Sequence, residues 1–591
     1  METAPHKQPA GRDGSGSSGL PPRRMLALFM LFALALAFRL LYILEISDQV
    51  FFQNLLIDQQ AYDNWARRIA AGDWLGDKPF YQSPFYPYFL ALIYMTIGRS
   101  FVSVYIIQAL LSAACVFAVY GIGRRSFGDA RVGVLAALLW ALYKVDFFFV
   151  GQVLKTSPGM SLLILALWLF FVFRDRPSAG KGIAAGLAAG LVMVFRGNFL
   201  AVMPLLVLWI AVAEMRRSGR RAAIPLLALF LSVVVFPAIV AVRNYAVSGE
   251  LVLTTAQGGV NFYVGNYREN TLGVGKDPEW ARRIPRFEQE DFREKAEELS
   301  GRKLSDSELS KFWFRQGMAE IAADPFSYLE RLRSKALLII NWQEIPDNLN
   351  YDFFRERYSW VLSLPLPAFW LAGSFGLAGL VLALLRRRGG LLALYFFSYA
   401  ATVLAFYVVN RYRFPLVPAL LVFAAYGMVA AWDESSLKRW STPVVFAVLV
   451  AAFAVTGSPR WAQSSPAQHW TKVGNAYAEE NRYADAIQAY EKALQYDQWY
   501  ERALVGLAIA YEHKYRYSEA IEIYSHLVRI DPKNARHHYL LARTLEKRGD
   551  ISKAREHYRK ATELDPDMKP ARAALERLEE EGLKPDSPSS E

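Results

Sequence analysis

Between residues 25 and 455 the chain is a succession of apolar stretches separated by short polar turns, and stretches of about 17 to 25 residues are long enough to cross a bilayer as helices. Taken in order they predict about eleven spans, an all-α polytopic bundle over residues 23–457. The first stretch, residues 25–46, follows Arg23 and Arg24. It is too long for a signal-peptide core and lacks a small-residue cleavage site, so it is expected to stay as an anchor. Residues 1–22, with their Gly-, Ser- and Pro-rich run, cannot bury enough apolar surface to fold. They and residues 583–591 are expected to be disordered tails.

Beyond residue 457 the apolar runs give way to an amphipathic pattern with a period of 34, so that residues 467–500, 501–534 and 535–568 align without gaps. The first unit carries Trp470, Gly474, Tyr477, Ala486, Tyr490 and Ala493, the second Leu504, Ala508, Tyr511, Ala520, Tyr524 and Pro532, and the third Ala542, Ala554, Tyr558, Ala561 and Pro566. These units resemble tetratricopeptide repeats: small residues let paired helices approach, aromatics fill the gap between them, and proline starts the turn to the next unit. Three units and a capping helix near residues 570–582 predict an α-solenoid over 467–582. Its aromatics are read as core.

The formal charge of +12 changes meaning once the spans are placed, because much of the excess sits in short loops. Arg23/Arg24, Arg124/Arg125, Arg174/Arg176/Lys181, Arg216/Arg217/Arg220/Arg221, Arg386/Arg387/Arg388 and Lys438/Arg439 all fall on one face, which is therefore cytoplasmic. This argues against nucleic acid as a partner. The opposite face receives residues of about 48–100, the turn at Lys144 and Asp146, the turn at Arg196, residues of about 243–362, the Arg411/Arg413 turn and the repeats. Cations there break the orientation rule, and an ionisable group near the membrane is costly unless it is paired or used. Cys115, the only cysteine, excludes disulfides and cysteine-ligated metal. The seven histidines lack ligand spacing, so no metal site is assigned; a divalent metal has no clear ligand set and the cofactor is left open. No P-loop glycine run is present, which argues against a soluble nucleotide-sugar donor.

Asp58 opens the run Asp58-Gln59-Gln60-Ala61-Tyr62 in the first exoplasmic loop. Tyr62, Trp65, Arg68 and Ile69 recur at helical spacing behind it, as on a helix lying along the interface, and the plain alternative is that Asp58 only caps that helix. Arg39 lies inside the first span, where it needs a partner in the bundle.

The order of motifs resembles the C-type integral-membrane glycosyltransferases, in the branch akin to protein mannosyltransferases and aminoarabinose transferases. The resemblance covers residues of about 25–430. It rests on Asp58-x-x-x-Tyr62, on Gln82-Ser83-Pro84-Phe85-Tyr86, and on Arg243-Asn244-Tyr245. Further matches are Gly258-Gly259-Val260-Asn261-Phe262-Tyr263-Val264-Gly265-Asn266, Glu344-Ile345-Pro346-Asp347 and Asn410-Arg411-Tyr412-Arg413-Phe414-Pro415. It implies transfer of a monosaccharide from a polyprenyl-phosphate donor to a protein, lipid or glycan acceptor, with inversion, on the exoplasmic face of a plasma (bacterial inner) membrane. Asp58 is then the base, and Arg243, Arg411, Arg413 and Lys155 are candidates for the donor phosphate. Tyr62, Asp63, Gln82, Asp146, Glu344 and Asp347 are acceptor-site or secondary candidates. Relatives often carry a second acid where this chain has Val150. Asp146 is the nearest substitute, with pairing to Lys144 as the alternative. The repeats are expected to grip an acceptor protein or partner. Competing readings are a ligase or polymerase of lipid-linked polysaccharide, a non-catalytic assembly scaffold and a transporter.

Overall fold

A computed structural model describes residues 21–55, 58–275, 277–278, 280–281, 288–347, 349–436, 441–456 and 465–582. The expected tails, apart from Pro21 and Pro22, and the Lys438/Arg439 pair lie outside these residues. Pro22 is not part of a tail: it opens α1 (Pro22–Ile46), where a missing N–H costs nothing. The described chain is helical, and its only β contact is an isolated parallel bridge between Val274 and Val408.

The expected first loop is itself largely helical, holding α2 (Val50–Gln53), α3 (Asp58–Ala70) and α4 (Phe85–Ile97). The face of α3 that the sequence marks as apolar is covered by protein: Tyr62, Ala66 and Ile69 are buried and α3 packs on α4. Next come α5 (Phe101–Phe127), α6 (Ala130–Ala141), α7 (Lys144–Val150), α8 (Thr156–Asp175), α9 (Ala179–Phe195), α10 (Phe199–Ser218), α11 (Ala223–Val233) and α12 (Val235–Ser248). The α6–α7 pair bends by 50°. Gly182, Gly186 and Gly190 line one face of α9 and let it lie directly on the α11 backbone; a Cβ on Gly186 would meet Leu229 O at 2.6 Å.

The second large loop folds into α13 (Gly258–Asn266), α14 (Glu288–Ser300), α15 (Asp306–Ala323), α16 (Pro325–Ile340), α17 (Tyr351–Arg357) and α18 (Trp360–Ser363). Its glycine-rich motif has a packing origin, since a Cβ on Gly265 would sit 2.2 Å from Phe406 O. The chain returns through α19 (Phe369–Leu385), α20 (Gly390–Ala405), the short turn α21 (Asn410–Arg413), α22 (Val417–Ser436) and α23 (Ser441–Thr456).

By length and composition, five of the described stretches can cross a membrane, or six with the bent α6–α7 pair, and five shorter apolar helices accompany them. One of the five runs from Phe199 to Ser248, 50 residues, and takes in the Arg216–Arg221 cations.

The repeats form three helix pairs and a cap: α24 (Pro466–Glu479) with α25 (Tyr483–Tyr496), α26 (Glu501–His513) with α27 (Tyr517–Ile530), α28 (Ala535–Arg548) with α29 (Ile551–Leu564), then α30 (Lys569–Gly582). Tyr490, Tyr524 and Tyr558 are buried one period apart, as expected of core positions.

Arg39 finds its partner in Asp146. The two side chains are fully buried 2.8 Å apart, Ser112 donates to the same carboxylate, and Arg39 Nη1 reaches the carbonyls of Ala35 and Ala141 at 2.8 and 3.1 Å. Asp146 therefore pairs with Arg39 and not with Lys144. Lys144 donates instead to Leu362 O and Leu364 O at 2.8 and 2.9 Å. Removing one partner of such a pair strands a charge among apolar helices, so Asp146→Leu should cost about 3–5 kcal/mol of stability. Arg39→Met with Asp146→Leu should recover most of it, as read by thermal unfolding in detergent. A single variant that melts with the wild type would refute the assignment.

Candidate functional site

Asp58 is the first residue of α3, where a carboxylate favours the positive end of the helix. It accepts from Arg411 Nη1. Arg411 stands on α21, a turn fixed from both sides: Val408 N donates to Gly273 O at 2.9 Å and Asn410 N to Ile345 O at 3.1 Å. The second of these bonds brings the 344–347 segment alongside. Arg411 Nε lies 2.6 Å from Asp347 Oδ2, so one guanidinium joins two carboxylates that are distant in sequence. Arg196, buried at the end of α9, donates to Arg411 O at 2.6 Å and to the Tyr399 hydroxyl at 3.3 Å, with its guanidinium over the Tyr412 ring.

Arg411, Arg196 and Lys155 line one narrow cavity, whose remaining wall includes Met160, Leu163, Val192 and Phe195. Cations thus meet an apolar passage between α8 and α9. Lys155 Nζ donates to Ser83 Oγ at 3.1 Å, which ties it to the Gln82–Tyr86 turn, where Gln82 is half-buried. Burial, with Arg196 and Arg411 alongside, pushes the Lys155 ammonium down to about 7 against the pull of Asp58. The opposite shift occurs at Glu288, where burial raises the carboxyl to about 7 although Gln257 donates to it at 3.0 Å. Tyr81, in the same turn, also donates to Glu288, at 3.4 Å.

The other predicted residues lie elsewhere. Arg413, expected at the donor phosphate, is 1% exposed and points away from the cavity. It pairs with Glu344 at 2.8 Å and donates to the carbonyls of Leu338, Asn341 and Gln343, with its guanidinium over Phe369. Its neighbour two positions earlier faces the opposite way because α21 is helical. Glu344 is consumed by the same pair. Arg243 lies over Phe80 and donates to Lys78 O at 2.6 Å and Asn244 Oδ1 at 2.9 Å, so it clamps the loop before α4 and does not line the cavity. Asp63 is buried, receives Tyr94 and Arg99, and lies 3.2 Å from Arg67, which makes it a brace between α3 and α4. Tyr62 is buried edge-on to Tyr86. Among the described residues no group of three His, Cys, Asp or Glu side chains could hold a metal ion.

Three residues around the Asp58, Arg411 and Asp347 group were not among the predicted site residues. Arg196 carried a signal, since it is one of the exoplasmic cations that break the charge bias. Glu288 and Lys472 had none: the first lies in a charged helix and the second in a repeat.

Residues 77–240 match the profile of the family described as dolichyl-phosphate-mannose-protein mannosyltransferase, a span that holds Ser83, Lys155 and Arg196 but neither Asp58 nor Arg411. Residues 477–544 and 537–568 match tetratricopeptide repeat profiles. No curated protein sequence matches the chain. Among solved structures the chain is similar to the oligosaccharyltransferase of Archaeoglobus fulgidus in complex with zinc and sulfate, at 14% identity and a TM-score of 0.40. That match covers 80% of this chain and 57% of the archaeal one. It is also similar to ArnT from Cupriavidus metallidurans bound to undecaprenyl phosphate, at 17% identity and a TM-score of 0.31, over 70% of this chain and 80% of the other. The chain thus joins a region of long apolar helices, similar over residues 77–240 to the dolichyl-phosphate-mannose-protein mannosyltransferase family, to a C-terminal array of tetratricopeptide repeats.

Proposed function

We propose that the protein transfers a monosaccharide from a polyprenyl-phosphate donor to an acceptor outside the cytoplasm, with inversion, at Asp58. The observation that carries this reading is the placement of Asp58 and Asp347 on one guanidinium, that of Arg411, which with Arg196 and Lys155 also lines a cavity with an apolar wall. That wall suits an isoprenoid chain, and Arg411, Arg196 and Lys155 suit its phosphate. Arg can meet phosphate with two parallel hydrogen bonds. Negative charge grows on the phosphate as the glycosidic bond breaks, so fixed guanidinium groups stabilise the transition state more than the bound donor.

The donor phosphate and Asp58 both seek Arg411. As the phosphate takes the guanidinium, the Asp58 carboxylate is released toward the acceptor. It accepts the proton of the acceptor nucleophile as that atom bonds to the anomeric carbon from the face opposite the departing phosphate. The carbon–oxygen bond to phosphate breaks with its electron pair on the polyprenyl phosphate. Asp347 keeps Arg411 oriented through the exchange.

In this reading the N-terminus is cytoplasmic, the repeats face the exoplasm of a bacterial inner membrane, and the repeat surface presents a macromolecular acceptor, since a solenoid offers far more surface than a sugar needs. The test is turnover in liposomes: labelled polyprenyl-phosphate sugars should release polyprenyl monophosphate, and glycan mass spectrometry of deletion and wild-type cells should name the acceptor. Turnover of diphosphate-linked chains alone would replace the proposal with a polysaccharide ligase. Full complementation by Asp58→Asn would replace it with a scaffold.

A further inference from the structure

The repeats do not hang from the membrane domain as a separate body. Val473 and Ala476 on α24 are buried in the same apolar core as the membrane helices, and α24 packs against α2. Its polar side chains reach the two segments that carry the paired carboxylates. Asn54, four residues before Asp58, donates to Glu480. Asn350, three residues after Asp347, is hydrogen-bonded to His469 at 3.0 Å. The Phe353 ring lies tilted against the His469 ring at 5.2 Å and meets Trp470 edge-on at 5.5 Å. Between these anchors Lys472 Nζ donates to Asp347 O at 3.3 Å, placing its charge beside the acid that holds Arg411.

Resting on the reading of Asp58 as the base, we propose that Lys472 is a positioning residue of the transfer reaction, so that the first repeat forms one wall of the reaction centre. The chain of contacts runs from Lys472 to Asp347, from Asp347 to Arg411 and from Arg411 to Asp58. Loss of the ammonium charge lets the 347 segment relax, Arg411 then lacks its second anchor, and it competes with the acceptor for Asp58. An acceptor held on the repeats is thereby registered against the site by the same helix that shapes it.

The charged groups that act on Lys472 come from both sides: Asp347 on the membrane side, itself beside Arg411, Asp58 and Arg196, and Arg502 on the repeat side, with His469 one turn away on the same helix. Burial pushes the Lys472 ammonium down to about 8, with Asp347 pulling it up and Arg502 pushing it further down. His469, lowered to about 4, is neutral throughout that range and does not titrate with it. Lys472 is therefore charged below about pH 8 and loses its charge as pH rises through that value, taking the positioning with it.

The experiment is the kcat–pH profile of the full-length protein in liposomes, from about pH 6 to pH 10, for wild type, Lys472→Arg and Lys472→Met. Wild-type kcat should fall on the alkaline side in two parts, one near pH 7 from Lys155 in the free site and one near pH 8 from Lys472. Lys472→Arg, which stays charged, should keep activity and move the upper part upward by at least about one unit. Lys472→Met should lower kcat by up to about 10²-fold, the scale of a small misplacement in a reaction centre, change the donor KM much less, and lose the upper part while keeping the Lys155 part. A purely structural lysine would alter the yield of folded protein and leave the profile of the folded fraction unchanged. Wild-type kcat in Lys472→Met, or an upper part that stays put in Lys472→Arg, overturns the proposal. Asp58→Asn in the same assay separates the two ideas: activity in that variant refutes the site itself, whereas an inactive Asp58→Asn beside a normal Lys472→Met refutes only the role of the repeat.

Discussion

Asp58→Asn should lower sugar transfer by about 10²–10⁴-fold, the usual contribution of a positioned general base. The substitution keeps the shape of the side chain and an oxygen for Arg411, so α3 and the Arg411 turn should stay folded and donor lipid should still bind. The change therefore belongs in kcat. The measurement is release of polyprenyl monophosphate and appearance of glycosylated acceptor, at equal protein levels judged by chromatography. Activity within threefold of wild type would remove Asp58 from the reaction. Asp58→Glu puts a carboxylate one carbon further out and should recover only part of the loss, because the base must lie within hydrogen-bond reach of the proton it takes.

Arg411→Ala should be nearly as damaging, lowering kcat by roughly 10²–10³-fold, as when one donor to a developing oxyanion is deleted. It also leaves Asp58 and Asp347 without their shared cation, so a drop in thermal stability should accompany the kinetic loss. Arg411→Lys separates these effects. An ammonium is a point charge that cannot serve two carboxylates from the Nη1 and Nε positions, so stability should partly return while kcat stays low. Arg413→Lys is the matched control. That side chain is held by Glu344 and three carbonyls away from the cavity, so its replacement should reduce stability and leave the kinetics of the folded fraction near wild type. If Arg413→Lys proved the kinetic variant and Arg411→Lys the structural one, the two residues would have to exchange places in the scheme.

Several features of the site were legible because they follow from one-dimensional rules. Asp58 stood out by falling just after the first apolar span, and Arg411 by breaking the charge bias of its face. The need of Arg39 for a partner followed from the cost of a charge among apolar helices, although Asp146 as that partner did not. Arg411 and Arg413 were indistinguishable in sequence. A helical turn between them sends one to the cavity and the other into a buried ion pair. Arg243 fitted the phosphate role by depth alone, and depth does not say which way a side chain is turned.

The sequence by itself determined the all-helical class, the change of regime near residue 457 and the period of the repeats. Each of these is written in local periodicity. The tertiary structure alone decided which groups meet: Asp58 with Arg411, Arg411 with Asp347, Glu288 with Gln257 and Tyr81, and a repeat lysine with a membrane-domain loop. Periodicity fixes the face of a helix that is buried. It does not fix what lies opposite, because apolar packing is non-directional and the register of charged pairs is set only when distant segments come together.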